Sequence, residues 1–81
     1  MPTIKNFGAF RITMYFEDHN PPHFHIVSPE DEAIVEIETL TVIAGKIRAA
    51  YLNEAIEWAR EHKEALERKW EELHEQNRSH V

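Results

Sequence analysis

Apolar and polar residues alternate along three segments in the first half of the chain. These segments run from Gly8 to Phe16, from His23 to Val27 and from Glu32 to Glu38. Because side chains alternate across a β-strand, a period of two predicts strands with one buried face. The residues that would form this face are Phe10, Ile12, Met14, Phe16, Phe24, Ile26, Ala33, Val35 and Ile37.

The connections between these segments carry turn and loop residues. Pro21 and Pro22 exclude a helix between the first two strands, since each proline moves the preceding residue out of the α region. Residues 28–31 read Ser-Pro-Glu-Asp and predict a turn. A short fourth strand over 39–44, ended by Gly45, is a further possibility, but its apolar residues do not alternate cleanly.

In the second half of the chain, apolar residues recur at steps of three and four. Neither glycine nor proline occurs from Arg48 to Gln76, and the spacing indicates an amphipathic helix. At ~1.5 Å per residue, such a helix would be longer than a small sheet. We therefore expect that it bends near residues 61–63 or that its far end packs on another subunit. The residues with this spacing are Leu52, Ile56, Ala59, Leu66, Trp70 and Leu73.

The predicted fold class is α+β, with a three- to four-stranded antiparallel β-meander packed on a long C-terminal helix that is continuous or kinked. One small domain spans residues 1–81, with its strands within residues 8–44 and its helix over about residues 48–76. A domain of this size buries barely enough apolar surface to offset chain entropy. We therefore expect a partner subunit, such as a second copy of the chain.

The composition, with 42% apolar and 30% charged residues, is typical of a globular protein. No apolar run approaches the roughly 20 residues that span a bilayer, so no membrane contact is expected. The N-terminal segment carries no secretion signal, and the absence of cysteine excludes disulfides and thiolate metal sites. A cytoplasmic location in a prokaryote is the simplest expectation.

The chain carries a formal net charge of −6. Non-specific affinity for nucleic acids depends mainly on clustered lysine and arginine, which the sequence does not concentrate in one place. Any contact with RNA would therefore have to be local.

Three of the six histidines lie between His19 and His25. Histidine is the side chain that titrates near neutral pH and is the commonest metal ligand, so this segment is the candidate functional site. His23 and His25 are two residues apart on one predicted strand. If Phe24 enters the core, both imidazole rings lie on the opposite face, as neighbours turned toward solvent.

Strand parity also predicts which residues lie opposite the histidines. A tight hairpin through residues 28–31 that keeps the apolar face inward places His23 opposite Glu36. The same hairpin places His25 opposite Ile34. For the preceding hairpin, the expected pairs are Tyr15 with His25 and Glu17 with His23. The predicted patch consists of Tyr15, Glu17, His23, His25 and Glu36, with Asp18 and His19 supplied by the connection.

Such a patch has three interpretations. A carboxylate near an imidazole favours its charged form and selects the nitrogen that carries the proton, as acid–base catalysis requires. Two histidines with a third histidine or a carboxylate could instead hold a divalent metal, of which zinc is the first to test, followed by manganese or nickel. A purely structural role in cross-strand hydrogen bonds is the third.

The remaining histidines and the tryptophans are expected to be structural. His62 lies on the wide apolar stripe of the helix and predicts a packed boundary residue. His74 and His80 are predicted to be exposed and outside any site. Trp58 and Trp70 have helical spacing and predict core or interface anchors.

Several segments resemble a widespread bacterial family of small domains of unknown function. The resemblance implies a stand-alone cytoplasmic protein, often encoded beside another short domain in a pair that looks like a toxin–antitoxin system. It also implies that His19, His23 and His25 are functional positions. The sequence departs from the family pattern at 39–41, which lack a turn glycine, and at 46–48, which lack a proline. The segments that carry the resemblance are Met1-Pro2-Thr3-Ile4, Met14-Tyr15-Phe16, Asp18-His19-Asn20-Pro21-Pro22-His23-Phe24-His25, Trp58, His62, Leu66 and Trp70.

Two main functional hypotheses follow. The leading one is a toxin–antitoxin-type protein with ribonuclease-like activity on RNA phosphodiesters. In it, His23 is the general base, His25 is the acid or phosphate contact, His19 completes the site and Glu36 orients His23.

The second hypothesis is a non-catalytic regulatory module that binds a metal or another ligand, with His19, His23 and His25 as ligands and Asp18 or Glu36 as a further one. A third possibility is an interaction surface formed by Tyr15, Ile34 and the histidines. The expected partner is a second copy or a neighbouring small gene product.

Overall fold

The computed structural model describes residues 3–15 and 17–78. Five strands precede two helices along the chain. The predicted α+β class is therefore confirmed, with one more strand than the sequence suggested. The elements are β1 (Thr3–Asn6), β2 (Arg11–Thr13), β3 (His23–Val27), β4 (Glu32–Glu36), β5 (Val42–Lys46), α1 (Ala49–Glu61) and α2 (Lys63–Arg78).

The five strands form one antiparallel sheet in the order β1-β2-β3-β4-β5, which is the predicted meander. The sequence did not predict β1. Of its four residues only Ile4 is half-buried and the others are exposed, so the strand shows no alternation of apolar and polar residues. β5 begins and ends later than the expected fourth strand. Its residues are all exposed at a sheet edge, where burial imposes no pattern.

The core lies between one face of the sheet and the two helices. The residues predicted to form the inward face of the sheet are all buried where the structure describes them, while Phe16 lies outside the described residues. Of the predicted helix stripe, Ala59, Leu66 and Trp70 are buried, and Leu52, Ile56 and Leu73 are half-buried. Full burial of a side chain such as Phe24 stabilises the fold by about 2–3 kcal/mol.

The helical half breaks at His62, within the stretch where a bend was one of the two expectations. α2 then crosses the end of the sheet that carries the β2–β3 and β4–β5 connections. The Nζ of Lys63 donates to the backbone oxygen of Glu38 at 2.7 Å. At the other side, the Nε2 of His74 donates to the backbone oxygen of Asp18 at 2.8 Å. The helix thus bridges the two connections.

Within the described part of the chain, neither helix combines the length and the apolar character that a bilayer crossing requires.

Candidate metal centre

The pairing of β3 with β4 confirms the predicted register. His23 lies opposite Glu36, and His25 lies opposite Ile34. The two imidazole rings are neighbours, with centroids 5.2 Å apart. Both lie on the face of the sheet opposite Phe24, as strand parity requires.

The two rings are buried, whereas the sequence predicted that they face solvent. His23 is 8% exposed and His25 is 7% exposed. The indole of Trp70 lies 5.1 Å from the His23 ring, and the ring of Tyr15 meets His25 edge-on at 4.6 Å. The prediction was wrong because strand parity selects a face of the sheet but does not say what covers it.

The pairing of β2 with β3 differs from the prediction by two residues. Thr13, rather than Tyr15, lies opposite His25. The described pairs of these strands end there, so Glu17 is not opposite His23, and its side chain is exposed. The connection between the strands is longer than a tight hairpin, and hydrophobic parity alone permits a shift by two.

The same connection brings Asp18 back over the two histidines. The N–H of Asp18 donates to the backbone oxygen of Tyr15 at 3.0 Å, and the N–H of Tyr15 donates to Oδ2 of Asp18 at 3.1 Å. This local turn holds the carboxylate above β3. Both carboxylate oxygens lie 3.2 Å from Nε2 of His25, and Oδ2 lies 3.5 Å from Nε2 of His23.

Asp18, His23 and His25 therefore form one group, which we call the Asp-His-His cluster. Their candidate ligand atoms all lie within 4.8 Å of one another. Ligands bound at about 2.0–2.2 Å in a tetrahedral zinc site lie about 3.4 Å apart. The two distances between Asp18 and the histidines, 3.2 and 3.5 Å, fit this spacing.

The other nitrogen of each ring is engaged by an acceptor. Nδ1 of His23 donates to the backbone oxygen of Pro21 at 2.7 Å. Nδ1 of His25 lies 2.7 Å from Oε2 of Glu32, whose side chain is 48% exposed. Metal-binding histidines usually donate their second N–H to a carbonyl or a carboxylate in this way, which fixes the tautomer and the ring orientation.

These acceptors determine where the protons lie. A carbonyl oxygen only accepts, so the ring proton of neutral His23 lies on Nδ1. With Glu32 ionised, the same holds for His25. Nε2 of each ring then directs its lone pair at the carboxylate of Asp18, which is also an acceptor. A proton on one of the three side chains or a metal ion can lie between these groups.

His74 approaches the cluster from α2, although the sequence predicted it to be exposed and outside any site. It is half-buried, and its ring stacks on Trp70 with centroids 3.9 Å apart. Nδ1 contacts the backbone oxygen of Trp70 at 2.7 Å, and Nε2 contacts that of Asp18 at 2.8 Å. Both oxygens only accept, so the ring of His74 lies between two hydrogen-bond acceptors.

Two residues that the sequence placed in the site are not in the Asp-His-His cluster. His19 is exposed, although it follows Asp18 directly. Glu36 has the predicted register, but its Oε1 accepts from the hydroxyl of Thr39 at 3.3 Å. The carboxylate at His25 comes instead from Glu32, on the diagonal of the strand pair. Diagonal neighbours across two strands are within reach of long side chains, and this rule could have indicated Glu32 from the register alone.

His62 lies away from the cluster, and its side chain is exposed rather than packed at the boundary as predicted. Its ring stacks on Trp58 at 4.2 Å, and Nδ1 donates to the backbone oxygen of Trp58 at 2.8 Å. Trp70 is a core anchor, as expected, with 6% of its surface exposed. His80 lies outside the described residues.

No curated protein and no solved structure matches the chain. The family model of the domain of unknown function DUF4160 matches residues 9–71, which is more than half of the chain. The matched segment contains the whole Asp-His-His cluster, while His74 follows it. The resemblance to a small family of unknown function is thereby confirmed, and the chain belongs to the DUF4160 family.

Proposed function

We propose that this protein is a non-catalytic module that binds one divalent metal ion of the zinc class through the Asp-His-His cluster. The ligands are Nε2 of His23, Nε2 of His25 and the carboxylate of Asp18. The supporting observation is the convergence of these three groups within 4.8 Å, combined with acceptors on both Nδ1 atoms. Two imidazoles and one carboxylate suit zinc, with manganese or nickel as further candidates.

The charges around Asp18, His23 and His25 favour a metal ion between these three side chains over extra protons on both rings. Second protons on both rings would place two imidazolium groups with centroids 5.2 Å apart in a buried region. The ring of His74 lies on the same side, with Nε2 2.8 Å from the backbone oxygen of Asp18. The carboxylates of Asp18 and Glu32 lie 3.2 and 2.7 Å from the nitrogens of His25, so the site attracts a cation. One metal ion satisfies both lone pairs and the carboxylate while the rings stay neutral.

Burial also favours binding over hydrolysis of a polymer. The side chains of Asp18, His23 and His25 are 12%, 10% and 9% exposed. A metal ion with one water or one small external ligand needs little access. An RNA phosphodiester would have to reach nitrogens that are directed at Asp18, on a chain whose formal net charge is −6.

The hypothesis that the histidines act on RNA therefore has less support than the metal site. It requires a free nitrogen on His23 to take a proton from the attacking hydroxyl. In the structure, Nδ1 of His23 is bonded to Pro21 and Nε2 is directed at Asp18. The predicted role of Glu36 in orienting His23 has no contact to support it, because the carboxylate of Glu36 accepts a hydrogen bond from Thr39 instead. A toxin–antitoxin-type gene pair and a cytoplasmic location stay predictions.

Elemental analysis and a zinc titration test the proposed function. The protein is prepared without a histidine tag and without chelator, and we expect one bound zinc per chain. The double variant His23→Ala with His25→Ala should lose stoichiometric binding. His19→Ala is the matched control, since His19 neighbours Asp18 but is exposed and outside the cluster, and it should keep full binding.

Circular dichroism separates loss of ligands from loss of fold in these variants. Asp18→Asn provides a second, milder change, because the amide keeps the shape of the carboxylate but removes its charge. A folded wild-type protein that takes up no zinc contradicts the proposal. An equal loss of binding in His19→Ala contradicts the assignment of the ligands.

A further inference from the structure

We propose that two copies of this chain exchange α2. In the exchanged dimer, α1 and α2 join through His62 into one continuous helix, and α2 of each copy packs over the Asp-His-His cluster of the other. The partner's Trp70 and the partner's His74 then complete the cover of each cluster. This inference does not depend on metal binding, since it rests on the break at His62 and on the contacts of α2.

The break between the helices involves very little backbone. His62 is the single residue between Glu61 and Lys63, with φ −122° and ψ 27°. Its N–H still donates to the backbone oxygen of Trp58 at 3.1 Å, and the N–H of Leu66 donates to that of His62 at 2.9 Å. Both hydrogen bonds have the four-residue spacing of an α-helix. The helical hydrogen bonds therefore run up to His62 on one side and begin again at His62 on the other, and the N–H of His62 also donates to the backbone oxygen of Ala59 at 3.1 Å.

The local sequence favours the continuous form. No glycine or proline occurs from Ala49 to Arg78, and such residues or an inserted group are the usual causes of a sharp break. The residues next to the break, Glu61, Lys63 and Glu64, are ordinary helix formers. The bend is thus not imposed by residues 61–64, and the contacts of α2 with the rest of the molecule must maintain it.

Those contacts are specific to the end of this sheet. Lys63 is bonded to the backbone oxygen of Glu38, and His74 to that of Asp18. Leu66 and Trp70 are buried in the core cluster, and Leu73 packs against it. A second copy of the chain offers α2 the same surface and the same backbone acceptors. A second copy is therefore the partner that these contacts fit.

Length explains why the continuous helix needs that partner. Thirty residues from Ala49 to Arg78 at ~1.5 Å each give a helix of about 45 Å. The dimensions of the bent molecule are 41, 24 and 21 Å, so the straight helix would be longer than its longest dimension. A straight helix would carry Leu66 and Trp70 away from the sheet of its own chain. Reciprocal exchange covers both apolar faces in a closed two-fold dimer, which is a low-cost route to dimers.

A matched pair of substitutions at the hinge tests this proposal. His62→Ala and His62→Gly remove the same stacking on Trp58 and the same hydrogen bond of Nδ1. They differ in helix propensity, which favours alanine by about 1 kcal/mol. With two hinges in the dimer and 1.4 kcal/mol for each factor of ten, we expect dimer dissociation constants about 30-fold lower for alanine.

Sedimentation equilibrium over a range of concentrations, in buffer with chelator, provides these dissociation constants. The chelator makes the result independent of the proposed metal site. Equal association of the two variants overturns the proposal, because a dimer formed through the exposed edge strand β5 would not respond to residue 62. A failure of either variant to dimerise at millimolar concentration also overturns it.

Isotope-filtered nuclear Overhauser measurements provide a second test on the unmodified protein. Labelled and unlabelled chains are mixed, unfolded and refolded together, so that the dimers contain one chain of each kind. The rings of Trp70 and His23 lie 5.1 Å apart in the structure. In exchanged dimers, this contact gives a signal between the two chains. A dimer in which the contact is found only within one chain refutes the exchange.

Discussion

At the scale of single residues, the assignment of the cluster depends on which atom of each side chain meets which acceptor. His23 and His25 could be identified from the sequence because a period of two places them side by side, whatever the length of the strand. Their partner Glu32 was not identified, although Glu36 on the same strand was. Register determines which residues are opposite each other, but side-chain rotamers and sheet twist decide whether a long side chain reaches along the diagonal.

Replacing Glu32 by glutamine tests its role as the acceptor for His25. The amide oxygen can still accept from Nδ1, but the negative charge beside the ring is lost. Second-shell changes of this kind cost roughly 10–100-fold in metal affinity, and we expect this range in a zinc titration. Glu36→Gln removes an equal charge from the same strand without touching the histidines, and its affinity should match that of the wild type. Similar losses in both variants would assign the effect to net charge.

At the scale of elements, α2 connects the two loops at one end of the sheet and covers the cluster. The α1 and α2 helices carry the same local motif, in which a histidine stacks on the tryptophan four residues before it and donates to its backbone oxygen. Only His74 adds a hydrogen bond to another element, through Asp18. The sequence predicted a packed His62 and an exposed His74, and the structure shows the reverse, because their local surroundings are alike and only the contact with Asp18 separates them.

This likeness makes His62 a control for His74. Substitution of either by alanine removes the same local contacts, but His74→Ala also removes the hydrogen bond to Asp18. A hydrogen bond contributes about 0.5–1.5 kcal/mol to stability. We therefore expect His74→Ala to lower the free energy of unfolding by about 1 kcal/mol more than His62→Ala. Urea denaturation at low protein concentration measures the difference, and equal effects would show that the hydrogen bond to Asp18 adds nothing.

At the scale of the whole molecule, the Asp-His-His cluster joins parts of the chain that a bound ion would hold together. Asp18 belongs to a connection that α2 contacts, while His23 and His25 belong to the centre of the sheet. A domain of 81 residues is marginally stable by its burial alone. A ligand that binds only the folded state adds stability by mass action.

We therefore expect zinc to raise the melting temperature. At a free concentration 100 times the dissociation constant, binding adds about 2.7 kcal/mol of stability. For a domain of this size, that corresponds to roughly 10–20 °C. Differential scanning calorimetry should show the shift, and chelator should reverse it. The double variant His23→Ala with His25→Ala should show no shift, and a shift that persists in it would place the bound metal elsewhere.

The sequence by itself determined the α+β class, the meander, the inward face of the sheet and the adjacency of His23 and His25. These features depend on periodicity and strand parity, which are local properties of the chain. Tertiary structure decided the burial of the two rings, the choice of Asp18 over His19 from the same connection, the approach of His74 and the direction of α2 after His62. Those features depend on contacts between residues distant in sequence, such as Asp18 and His74, and no local pattern encodes them.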